Sequence, residues 1–253
     1  MAHLHGVVYI VCEVSSAIIR FDAVTHQRQT DITVKDLIAP FDIAACEHTS
    51  SVYVSAADKC VWRVSSDGEH IGRRLQWSPS DTFKPWTLSL TSSRLLVTSR
   101  DTKQLRQFDA VGDELRQVDL PDHMKPYHAI ESLTGTFIVS HENTQLKQDQ
   151  VSEVNTEGQV LRQFSGSRLI PLGDARHVTV DSQGNIFVVD RNTGRILLLD
   201  SQLALRRVII DEHRLIYRKR PLRLCYSEQS GQLLVGFVIE YDRDVAVFDV
   251  LRR

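Results

Sequence analysis

Hydrophobic and polar residues alternate along most of this chain, and the alternation comes in short bursts. In residues 176–201, RHVTVDSQGNIFVVDRNTGRILLLDS, three bursts are separated by turns at Ser-Gln-Gly-Asn and Arg-Asn-Thr-Gly. Period-two alternation bounded by Gly, Asn and Asp predicts a β-meander rather than helices. The third burst, RILLLDS, recurs as AIIRFDA from Ala17, CVWRVSS from Cys60, QLRQFDA from Gln104, QVSEVNT from Gln150 and DVAVFDV from Asp244. Its large apolar position falls on Phe21, Val64, Phe108, Val154, Leu199 and Phe248, roughly 43 to 49 residues apart, a period that implies a repeat architecture.

The other strands of the unit repeat in step. NIFVVD matches VVYIVC, SVYVSA, RLLVTS, TFIVSH and QLLVGF. Before it come strands beginning at Pro40, Pro85, Pro126, Ala175 and Pro221. A fourth, more polar strand follows as QRQTDITV, HIGRRLQ, ELRQVDL, VLRQFSG and ALRRVII. Four antiparallel strands per unit, six units and no convincing helix predict an all-β, six-bladed β-propeller. Its inner strands are apolar on both faces because each blade is covered from both sides. The count is six second and third strands but five first and five fourth strands. The first and last blades are therefore expected to be incomplete, or the chain to be part of a longer one. The expected organisation is a single propeller domain over residues 1–253, acting as a monomer.

Composition narrows the class. Of 253 residues, 42% are hydrophobic and 25% charged, enough apolar matter for a sizeable core. A net charge of -2 shows no global basic excess, so a nucleic-acid role would need a basic face on a neutral body, and DNA is not expected as a partner. Cys12, Cys46, Cys60 and Cys225 form no C-x-x-C pair and read as reduced thiols. MAHLHGVVYIVCEV has no cationic leader region, and no apolar run approaches a membrane span. The expectation is a cytoplasmic protein without membrane association.

Residues 176–201 resemble the NHL repeat, P-x-G-I-x-V-D-x-x-G-N-I-Y-V-x-D-x-x-N-x-R-I-x-V-F-D. The units at Pro40, Pro85 and Pro126 resemble it through Pro, the apolar strands and the Phe-Asp turn. VSEVNTEGQVLRQFSG is similar to the propellers of animal tripartite-motif proteins. The resemblance implies a six-bladed binding platform. Some members of that family bind single-stranded or stem-loop RNA on one face, and others bind proteins.

In up-and-down blades, the lead-in to the first strand and the turn between the second and third strands emerge on one face. That face is expected to carry Lys84, Trp86, Arg100, Lys125, Tyr127, His128, His141, Arg176, His177, Arg191 and Arg223. Cations neutralise phosphates and aromatics stack bases, so the leading expectation is RNA recognition. A protein-interaction platform, such as the substrate-recruiting end of a ubiquitin-ligase-like parent, is the alternative, since Tyr, Trp and Arg also make protein hot spots. No catalytic residues, cofactor or metal are expected. A metal-dependent lyase or lactonase is the less favoured reading. It rests on His128 and His177 at equivalent positions, with Asp42 as a conceivable third zinc ligand, or on Glu13, Asn143 and Asp190 for calcium. Whether the two histidines bind a metal stays open. The Asp or Asn after each third strand (Asp22, Asp109, Asn155, Asp200, Asp249) is assigned to turn chemistry.

Overall fold

A computed structural model describes residues 1–76, 81–91, 93–109, 112–211, 220–228, 230–239 and 242–249. Among them there is no helix, and hence none long and apolar enough to cross a membrane. The chain divides into two compact units, Met1–Asp119 and Leu120–Arg253. Each is built from three antiparallel sheets, the blades of a six-bladed β-propeller fold.

In the first unit, blade one is β1 (Ala2–Leu4), β2 (Val7–Ile10), β3 (Ala17–Asp22) and β4 (Ile32–Thr33). Blade two is β5 (Pro40–Cys46), β6 (Ser51–Ala56), β7 (Cys60–Ser65) and β8 (Ile71–Gln76). Blade three is β9 (Thr87–Thr91), β10 (Arg94–Ser99), β11 (Gln104–Phe108) and β12 (Glu114–Asp119). In the second unit, blade four is β13 (Met124–Glu131), β14 (Phe137–Asn143), β15 (Gln148–Val154) and β16 (Val160–Phe164). Blade five is β17 (Ala175–Val180), β18 (Ile186–Asp190), β19 (Arg195–Leu199) and β20 (Leu205–Ile210). Blade six is β21 (Arg220–Ser227), β22 (Gln232–Ile239) and β23 (Asp242–Asp249).

One expectation needs correction. The chain does not start at a second strand: β1 pairs with β2 through a two-residue turn, so blade one has all four strands. Both turn residues have positive φ, His5 at 49° and Gly6 at 74°, as a type I′ hairpin requires. Three residues are too few to show alternation, which is why the pattern passed over them. Blade six ends on its third strand among the described residues, as expected.

The two-sided burial of inner strands follows from alternation. On β18, Ile186 and Val188 join Ile138 and Val151 of blade four in one core cluster, while Phe187 and Val189 join Leu224, Leu233 and Val235 of blade six in another. On β6, Val52 and Val54 face Leu4, Tyr9 and Ile18 of blade one, while Tyr53 faces Leu88 and Val97 of blade three. Each such buried Val, Leu, Ile or Phe contributes about 1.5–3 kcal/mol. Four of the five post-strand Asp and Asn residues do the turn work expected of them, and the turn after Asp249 lies outside the described residues. Asp22 Oδ1 accepts the Val24 and Thr25 amides, and Asp109 Oδ1 those of Gly112 and Asp113. Asn155 Oδ1 accepts the Glu157 and Gln159 amides, and Asp200 Oδ1 those of Gln202 and Ala204.

Candidate functional site

The first strands share a device that the alternation does not reveal. In β5, β13, β17 and β21 the pairing register slips at one residue: between Pro40 and Asp42, Pro126 and His128, Ala175 and His177, and Pro221 and Arg223. The residues skipped are Phe41, Tyr127, Arg176 and Leu222. A bulge re-aims its side chain out of the strand's alternation, and the first strands β5, β13 and β21 tolerate the preceding proline because one edge has no ladder partner. In the first unit, Phe41 lies against Trp86, ring centroids 4.6 Å apart. In the second, the Arg176 guanidinium carbon sits 4.3 Å from the centroid of the Tyr127 ring, within cation–π range. Adjacent blades thus touch through corresponding lead-in residues.

The next residue along makes a second inter-blade contact. Asp42, buried on β5, accepts the Leu88 amide through Oδ2 at 3.1 Å. At the corresponding place in the second unit, His177 Nδ1 accepts the Leu224 amide at 3.4 Å. The His177 ring stacks on His128, centroids 3.8 Å apart. Burial lowers the His177 pKa well below the usual histidine value, and the His128 and Arg223 charges push the same way. A neutral imidazole that accepts at Nδ1 carries its proton on Nε2. While that bond stands, His177 has no lone pair to give a metal.

The remaining predicted residues separate by burial. Lys84 is exposed and paired with Asp101 at 3.0 Å; Trp86 and Arg100 are half-buried. His141 is buried, its Nε2 2.9 Å from Ser152 Oγ, and burial lowers its pKa to about 4. Lys125, Arg191 and Arg223 are half-buried. Of the residues weighed for calcium, Glu13 is exposed. Asn143 Oδ1 caps its own turn by accepting the Gln145 and Leu146 amides. Asp190, fully buried, accepts the Gly173 and Asp174 amides and pairs with Arg195 at 2.8 Å. That carboxylate is committed to holding the lead-in of blade five.

The lead-in and turn segments of blades four and five share a face, and there they border an open cleft of about 310 Å³. Its walls are Tyr127, Glu142, Lys147, Gln148, Asp149, Leu172, Gly173, Asp174, Arg176 and Asn192. Asp174 takes Arg176 Nε at 2.5 Å on one oxygen and Arg191 at 3.8 Å on the other. Asp149 Oδ2 accepts the Ala175 amide at 2.7 Å. Burial first, then the Asp174 charge, raises the Asp149 pKa to about 6 despite that bond. Burial raises Tyr127 to about 12, so its hydroxyl stays protonated and donates to Glu142 Oε2 at 3.5 Å.

The sequence reading found Tyr127, Arg176 and Arg191 but missed Asp149 and Asp174 as site residues. Asp149 lies at the start of a strand that reads as ordinary alternation. Asp174 precedes the first recognisable strand residue of its blade. The signal available for both was an acidic residue directly flanking a lead-in or turn already assigned to the binding face.

No family model matches this chain, and no curated protein matches it. The likeness of residues 176–201 to the NHL repeat therefore rests on that copy's own residues. Solved structures do resemble it. A protein of unknown function from Bacteroides caccae aligns over 96% of this chain and 89% of its own, with 13% identity and a TM-score of 0.73. A streptogramin B lyase aligns over 96% of this chain and 76% of its own, with 13% identity and a TM-score of 0.65. A catalytically inactive histidine-to-alanine variant of virginiamycin B lyase from Staphylococcus aureus, with quinupristin, aligns over 97% of this chain and 77% of its own, with 14% identity and a TM-score of 0.67. At such identities the likeness is one of fold, and the fold is an all-β, six-bladed β-propeller.

Proposed function

We propose that this chain is a non-catalytic module that recognises a protein partner on the face formed by blade lead-ins and second-to-third turns, centred on the cleft between blades four and five. One observation carries the reading: Arg176 and Arg191 are both engaged by the buried Asp174. Cations already matched to carboxylates give little phosphate affinity, whereas a mixed-charge concavity edged by Tyr and Arg suits a polypeptide. The expected RNA ligand thus becomes the competing outcome. Fluorescence anisotropy with a labelled random RNA pool, at low and moderate salt, separates the two. This reading expects no salt-steep retention. Tight RNA binding that falls steeply with salt and disappears in Arg176→Glu would sink it. The structural likeness to lyases makes an enzyme the other competitor, favoured by the buried His128–His177 stack. Elemental analysis finding stoichiometric zinc or calcium, lost with His128→Ala, would support that instead.

A further inference from the structure

The carboxylates of the cleft are unevenly supplied with donors. Asp174 has a cation on each oxygen, and Asp149 has an amide on Oδ2. Asp149 Oδ1 makes no hydrogen bond among the described residues, although the residue is only 9% exposed. Among the described residues, the Glu142 carboxylate has only the long contact from the Tyr127 hydroxyl. Lys147, on the exposed rim, makes no ion pair among the described residues. An acidic oxygen that lines the cleft and takes no protein donor is open to one from a ligand. What Asp149 and Glu142 can still take is a group rich in donors and positive in charge.

We propose that the cleft between Asp149 and Glu142 receives an arginine side chain of the partner polypeptide, its planar guanidinium donating to both carboxylates beside the Tyr127–Arg176 stack. This rests on the protein-recognition reading and names what that face recognises. Chemistry selects it and volume admits it. The cleft's 310 Å³ lies at the lower end of the ligand-pocket range of about 300–1,000 Å³, roomier than a lone ion needs and large enough for one long side chain. A guanidinium fork can engage two carboxylates at once, which the compact lysine ammonium does less well. The two under-donated carboxylates disfavour a phosphate. Asp149 is faced by Asp174 and Arg176 from blade five, and by Glu142 and Tyr127 from its own blade, with Lys147 at the rim. Its raised pKa adds a signature: the cleft should lose its grip on a cation as Asp149 takes up a proton.

The test is a titration of the full chain with acetyl-Gly-Arg-Gly-amide and with its citrulline counterpart, which keeps the shape and removes the charge, followed by amide NMR shifts. The arginine peptide should shift the Gly173 and Asp174 amides and bind at least about tenfold more tightly than the citrulline peptide. Between about pH 7.5 and pH 5 its affinity should fall about tenfold, as expected for a carboxylate titrating near 6. Asp149→Asn should abolish most of that pH dependence, and Glu142→Gln should weaken binding while retaining it. Equal binding of both peptides, or no shift of those amides by either, overturns the inference. If the arginine peptide fails but a partner polypeptide is still bound in a Tyr127-dependent way, only the inference falls. If RNA is bound in place of any polypeptide, the reading beneath it falls too.

Discussion

Tyr127 and Arg176 occupy corresponding bulges in successive blades, and the guanidinium of one lies 4.3 Å from the ring centroid of the other. Phe41, at the bulge of β5, and Trp86, just before β9, make the like contact one unit earlier with two aromatic rings. The same contact that joins two blades therefore also shapes one wall of the cleft. Structure and recognition share these side chains.

Arg176→Ala should destabilise the protein by about 1–3 kcal/mol, because it strips the closest cation from buried Asp174 and leaves only Arg191 at 3.8 Å. Arg176→Lys should recover part of that loss, since it restores charge but neither the planar fork nor the stack. Urea denaturation of the three proteins measures both differences.

The inter-blade amide bonds predict a matched pair. Asp42→Ala removes the Oδ2 that accepts the buried Leu88 amide and should cost about 1–3 kcal/mol. Asp42→Asn keeps an acceptor oxygen of the same reach and should cost less. Equal losses in thermal unfolding would mean that the amide bond is not what Asp42 supplies.

Opposing titrations should shape the acid limb of stability. The folded His141 pKa is depressed to about 4, so its contribution is present above the unfolded value of 6.5 and is lost as pH falls toward 4. Asp149 is raised from 3.8 to about 6, so its contribution is present below 3.8 and is lost as pH rises through 6. Asp149→Asn should therefore gain on the wild type between about pH 4 and 6, by on the order of 1 kcal/mol, and hold a constant advantage above 7. Denaturation series at several pH values should show that step; an advantage independent of pH would contradict the assignment.

Two glycines with positive φ should respond differently to alanine. At Gly166, φ +88°, a Cβ would lie 2.5 Å from the Leu172 amide nitrogen and 2.6 Å from the Ile170 carbonyl oxygen. At Gly6, φ +74°, it would meet nothing within 4 Å. Gly6→Ala should cost about 1 kcal/mol of backbone strain, and Gly166→Ala about 2–4 kcal/mol because backbone must also move. The second change displaces the segment that leads to Leu172 and Gly173, so it should also disturb the cleft.

The blades were legible because a forty-odd-residue period and two-residue alternation are both written in side-chain type. Val188 and Val189 read as a doubly buried strand, and each packs where that reading puts it. The Asp22 and Asp200 turns were legible because Asx capping is local. β1 was not, since Ala2–Leu4 is too short to alternate. The bulges were not either: the Pro-aromatic pair is visible at Pro126-Tyr127, but the register slip that turns Tyr127 toward blade five depends on its pairing with β14. The site was half legible for the same reason. Arg176 announces itself as a cation near a turn, whereas its engagement by Asp174, two residues earlier, is a matter of geometry.

The most direct test of the account is a selection of displayed random peptides on the immobilised full chain, in parallel with a labelled random RNA pool. Polypeptide recognition at the blade four–blade five cleft predicts enriched peptides, with enrichment lost in a folded Tyr127→Ala variant and no retained RNA. Salt-sensitive enrichment of RNA with no peptide recovered would contradict it.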